Sequence, residues 1–130
     1  MVVHEINNIN QWMNFNKFDA AAINFNIMDD EKYTFDPRKF PKLIYLSLSP
    51  CNFEMVDVKL ELVGLSLIDS MWDSDISSIE ADNIYLYFSE GYEIDQALAN
   101  RIILKYPNAE YNVPSKYLKY FPGFDFNMDN

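Results

Sequence analysis

Glycine is scarce in this chain of 130 residues: Gly64, Gly91 and Gly123 are the only three, and they stand far apart. That excludes a glycine-rich loop of the kind that wraps a phosphate in backbone N–H groups. Histidine is scarcer still. His4 stands alone beside Glu5 near the start, too little for a histidine-dependent triad or a zinc cluster, so the pair is read as surface residues and no metal or cofactor is expected. The single cysteine, Cys51, has no second thiol for an internal disulfide, which predicts a reducing compartment. No apolar run reaches the roughly 20 residues of a membrane span. Met1-Val2-Val3-His4-Glu5 lacks the basic segment and apolar core of a secretory leader. Cytoplasmic residence, in the producing organism or in a host, is the expectation, with no membrane partner.

Positive charge is also in short supply. Ten Lys and Arg face twenty Asp and Glu, a formal charge of -10, so direct nucleic-acid binding would have to overcome repulsion from phosphates. Lys59 is the only base between Glu54 and Asp82, a stretch that also holds Asp57, Glu61, Asp69, Asp73, Asp75 and Glu80. The plain reading is a solvated face that keeps the protein soluble. The sharper one is a functional acidic patch of Asp69, Asp73, Asp75 and Asp82. What is abundant is apolar material: 49% hydrophobic and 16% aromatic residues, enough to offset the entropy of ordering one domain over residues 1–130.

That apolar material is patterned. An apolar residue followed three and five positions later by two more occurs as Ala22, Phe25, Ile27; Leu43, Leu46, Leu48; Leu62, Leu65, Leu67; Ala81, Ile84, Leu86; and Ala99, Ile102, Leu104. The starts lie 21, 19, 19 and 18 residues apart. Recurrence at such intervals predicts small stacked units. Strands are expected at Ala21 to Met28, Lys42 to Ser49, around Leu62 to Leu67, Asn83 to Phe88 and Arg101 to Tyr106. Short helices are expected within Asp69 to Ile79 and Glu93 to Ala99. A hairpin turning near Val63-Gly64 is a competing reading of the third unit. Residues 1–21, with Ile6, Ile9, Trp12, Met13 and Phe15, read as an N-terminal cap, 22–111 as the repeat region, and 112–130 as a C-terminal aromatic cap and frayed tail.

Leu43-Ile44-Tyr45-Leu46-Ser47-Leu48-Ser49-Pro50-Cys51 resembles the leucine-rich repeat family, whose signature is L-x-x-L-x-L with asparagine or cysteine at the ninth position. Leu62 to Ser70 and Ala81 to Ser89 follow it with serine at that position. Pro107 departs from it. The resemblance implies an α/β solenoid of short parallel strands with helical or irregular connections, in which the ninth residues Asp30, Cys51, Ser70 and Ser89 turn inward. A small α/β or α+β domain of mixed sheet and an all-β fold are the competing architectures.

In such a solenoid Asn26, Ser47, Ser66, Tyr85 and Ile103, and two residues onward Met28, Ser49, Ile68, Tyr87 and Lys105, would project from the sheet. This predicts a partner-binding set of Ile68, Tyr85, Tyr87, Arg101, Ile103, Lys105 and Tyr106, since tyrosine buries area while its hydroxyl still finds a partner; packing among neighbouring side chains is the plainer role for each ring. Asp29-Asp30-Glu31 reads as a solvated turn. The expected function is a non-catalytic protein-interaction module that binds a protein partner through the repeat sheet face. The alternative is an acidic inhibitor, an immunity-type protein neutralising a basic toxin or nuclease. A small hydrolase with a carboxylate site assembled in space is the third.

Overall fold

The computed structural model describes residues 1–121. Eight strands form two parallel sheets among these residues. The larger contains β1 (Val3–Ile6), β2 (Ala22–Phe25), β4 (Tyr45–Leu48), β6 (Leu60–Ile68), β7 (Ile79–Tyr87) and β8 (Glu110–Asn112), in that spatial order. The smaller pairs β3 (Lys32–Phe35) with β5 (Asn52–Met55).

The three-then-two spacing of the apolar residues has a local cause. A regular strand alternates faces at every residue, yet Leu43, Leu46 and Leu48 are all buried. The N–H groups of Ile44 and Tyr45 both donate to the Ala21 carbonyl, at 2.9 and 3.1 Å. Two residues thus oppose one acceptor, a bulge that keeps Leu43 on the same side as Leu46. Val63 and Gly64 repeat this on the Ile44 carbonyl, at 2.8 and 3.1 Å, and Leu62, Leu65 and Leu67 are buried in turn. Val63-Gly64 is therefore a bulge inside β6 and not the turn of a hairpin.

These features correct the leucine-rich-repeat resemblance and the solenoid drawn from it. The fold is an α/β domain with two small parallel sheets. Among the described residues the larger sheet is neither curved nor closed, and no repeat period runs through the chain. Paired residues across successive strands of the larger sheet are offset by 19, 23, 19, 19 and 25 positions. The intervals differ because the connections differ: β3 lies in the crossing from β2 to β4, β5 in the crossing from β4 to β6, and a helix in the crossing from β7 to β8. The first matched triplet is also out of register, since Ile23 and Phe25 pair with Leu46 and Leu48. The last, Ala99, Ile102, Leu104, is not a strand at all.

It lies in α2 (Gln96–Lys105), where Asp95 caps the first turn by accepting from the Leu98 N–H at 2.8 Å. Ala99 and Ile102, three apart, share the buried side, and Leu104 is left in solvent. The cap and the helical spacing outweigh the short alternation of Ile102 and Leu104, and Pro107 follows the helix end.

One face of the larger sheet is covered by two unlike layers. Over its early strands lies the smaller sheet, with Phe25 meeting the rings of Tyr33, Phe35 and Phe53 at 6.0, 6.3 and 5.6 Å between centroids. Trp12 of α1 (Ile9–Met13) joins them, 5.0 Å from Phe25 and 5.8 Å from Phe35. Such ring pairs add about 0.5–1.5 kcal/mol each beyond the area they bury. Over β6 and β7 lies the 3-10 segment Asp69–Asp73, which buries Met71 and Trp72, and beside it α2 sets Arg101 over the Trp72 ring. Asp69 takes a left-handed backbone with φ 51°, and its carboxylate accepts from the Ser89 N–H and Oγ at 2.7 and 2.9 Å.

Two further 3-10 segments, Pro37–Lys39 and Ser115–Tyr120, complete the described elements. The second holds Tyr117, Leu118 and Tyr120, and Phe121 after it packs 5.3 Å from Tyr111. Phe124, Phe126 and the tail Asn127 to Asn130 lie outside the described residues. No helix among the described residues is long and apolar enough to cross a membrane.

Candidate functional site: the outer face of the larger sheet

Alternation turns the remaining residues of the six strands away from both covering layers. Two rows cross this outer face in register. The first runs Val3, Ala22, Tyr45, Gly64, Asn83, and the second Glu5, Asn24, Ser47, Ser66, Tyr85, Glu110. Beyond them Ile68 pairs with Tyr87, and Tyr87 with Asn112.

The centre is built around a glycine. A Cβ on Gly64 would come within 2.8 Å of Tyr45 Cδ1 and 3.0 Å of Cε1, so the Tyr45 ring lies against bare backbone. From there the Tyr45 hydroxyl reaches Ser66 Oγ at 2.6 Å. Tyr85 approaches the same glycine from the other side, with its Cε2 at 3.8 Å from that Cβ position. Ser47 and Ser66 are buried, while Tyr87 keeps 39% of its surface exposed. Burial raises the Tyr87 pKa first, and neighbouring Tyr45, Glu110 and Tyr85 raise it further. At the β1 margin the Glu5 carboxylate accepts from the Asn7 and Asn26 amides at 3.0 and 3.5 Å. Neither row contains a lysine or arginine.

Of the residues expected to bind a partner, Ile68, Tyr85 and Tyr87 meet on this face. Arg101, Ile103, Lys105 and Tyr106 do not join them, because they belong to α2 and its C-terminal cap in the layer across the sheet. Arg101 lies over the Trp72 ring at 5.3 Å and 3.9 Å from Asp73. Lys105 Nζ donates to the Ser74 carbonyl at 3.1 Å. Ile103 and Tyr106 are half-buried against the core. The four aspartates have different surroundings: Asp69 is bound to Ser89, Asp73 faces Arg101, Asp75 accepts from Ser77 Oγ at 3.2 Å, and Asp82 is exposed on β7. Sequence reasoning missed Tyr45, Gly64, Glu5 and Glu110. The first two carried a signal in the bulge spacing, whereas the row position of the two glutamates depends on register.

The face supplies hydroxyls, amides and carboxylates but no nucleophile beside a base. His4 meets the edge of Phe15 at 5.5 Å. Burial, then Asp29, pushes the Cys51 thiol up to about 11, so it stays protonated at neutral pH. Asp29 itself accepts from the Ile9 and Glu31 N–H groups at 3.1 Å each and from the Tyr33 hydroxyl at 2.8 Å, and so anchors local structure. Among the described residues no three His, Cys, Asp or Glu side chains are grouped to hold a metal ion. Comparison with protein-family models, curated proteins and solved structures finds no match to this chain.

Proposed function

We propose that the chain is a non-catalytic protein-interaction module that receives a positively charged protein segment on the outer face of its larger sheet. The observation that carries this reading is the second row, Glu5 to Glu110, with one amide and three hydroxyls between two carboxylates and no cation. Six strands at about 4.8 Å spacing extend the row over roughly 24 Å, the reach of about seven extended residues. Tyr87, exposed beside Tyr45 and Tyr85, offers a ring face to an apolar or cationic side chain.

The test compares the unchanged chain with Tyr87→Ser and with Glu5→Gln/Glu110→Gln as baits over a salt series, with melting curves run in parallel. The reading expects a basic partner that Tyr87→Ser releases without loss of folding, and a flatter salt dependence for the glutamine pair. Capture that ignores both variants while folding is intact would refute it.

The charge of -10 favours a second reading, in which the covered surface of the partner is its own working site and the chain acts as an inhibitor of a basic toxin or nuclease. It requires that the captured partner lose activity in the complex and regain it when Tyr87→Ser replaces the unchanged chain.

A further inference from the structure

Among the described residues β1 pairs only with β2 and so forms one edge of the larger sheet. The Ile6 carbonyl faces β2, accepting from the Asn26 N–H at 2.9 Å. By alternation the backbone groups of Val3, Glu5 and Asn7 point the other way, and unpaired groups of this kind are a template for another chain.

At this edge a side chain stands where a strand would. Gln11 Nε2 donates to the Glu5 carbonyl at 2.6 Å, and Gln11 Oε1 accepts from the Asn7 N–H at 2.8 Å. A further parallel strand beside Ile6 would use the same donor and acceptor. The turn carrying the amide is tied down: Asn8 Oδ1 accepts from the Gln11 N–H at 2.9 Å, and Asp29 Oδ2 from the Ile9 N–H at 3.1 Å. Alongside, Met1, Val2 and Val3 are 80%, 70% and 53% exposed, an apolar run continuous with the edge.

We propose that the outer edge of β1 is a self-pairing surface held shut by the Gln11 amide, and that the occupant it excludes is a second copy of this chain. An antiparallel pair with its two-fold axis at His4 sets Val3 of one copy opposite Glu5 of the other, twice. Both are residues whose backbone faces the edge, and no glutamate then opposes a glutamate. The pairing needs the Glu5 carbonyl free, and Gln11 occupies it.

The experiment is sedimentation equilibrium on the unchanged chain, on Gln11→Ala and on Gln11→Met, which keeps the side-chain length without the amide. Hydrogen exchange at the Asn7 N–H reports whether the edge is uncovered. The proposal expects faster Asn7 exchange and self-association at least tenfold tighter in both variants. Adding Val3→Pro, which removes an edge donor while leaving the β1 to β2 ladder intact, should reverse the association. Variants that exchange faster yet associate no more than the unchanged chain overturn it. So does a dimer that survives Val3→Pro, or an unchanged chain that already pairs as tightly as the variants.

Discussion

The two faces of the larger sheet are built from alternate residues of the same strands and are buried in different ways. On the inner face Phe25, Leu46, Leu48, Leu67 and Leu86 are sealed by other elements of the fold. On the outer face Ser47 and Ser66 are buried too, and Ser66 Oγ meets the Tyr45 hydroxyl within the sheet. Low exposure therefore means two things here. Inside, it marks apolar area removed from water. Outside, it marks small polar side chains between neighbouring strands, with a rim left to solvent, the condition under which a face can meet a partner without being part of the core.

The contrast is sharpest in the response to truncation. Phe25→Ala removes a ring touched by Trp12, Tyr33, Phe35 and Phe53 and should cost about 3–5 kcal/mol in urea unfolding. A loss below about 1 kcal/mol would show that the smaller sheet does not seal this face. Gly64→Ala on the outer face should cost roughly 1–3 kcal/mol, because the new methyl displaces Tyr45 and its bond to Ser66. In a Tyr45→Ser background the same change should become neutral or slightly stabilising, as alanine restricts the unfolded chain; a persistent penalty would place the strain elsewhere.

A smaller effect on the inner side of the sheet is read by pH. Burial pushes Tyr106 and Tyr111 up to about 12, with Asp73 adding to the shift at Tyr106. Both hydroxyls keep their protons in the folded state where the unfolded chain, titrating near 10, has lost them. Stability is thus full below pH 10 and falls as pH rises towards 12. Tyr106→Phe should flatten that fall in denaturation midpoints taken across the interval, and an unchanged slope would remove Tyr106 from the account. Smallest of all, Tyr87→Ser should shift the unfolding free energy by less than about 0.5 kcal/mol, since the side chain lies on the exposed rim. A larger shift would make Tyr87 part of the packing and weaken its reading as a contact residue.

How much of this was legible varies by residue. Leu43, Leu46, Leu48 and Leu62, Leu65, Leu67 could be read as core because bulge and alternation act over five or six neighbouring residues. Ile102 and Leu104 misled, since their two-residue spacing also fits a strand; the Asp95 cap two turns earlier carried the contrary signal. Arg101, Lys105 and Tyr106 would join Tyr85 only if 101–106 were a strand, and they belong to α2 and its C-terminal cap. Ile23 and Phe25 were displaced by two positions, and the error moved Asn24 out of the row it shares with Ser47.

Apolar supply, acidic balance, the single thiol and the local rhythm that makes strands of β4 and β6 can all be read along the chain. These depend on composition and on residues close along the chain. Tertiary structure alone decided that the strands return at unequal intervals, that Tyr45 lies on Gly64, that glutamates stand at both ends of one row, and that Gln11 closes an edge. Each of these joins residues through register or through a side chain crossing between elements, and one position of slip would turn every such residue to the other face.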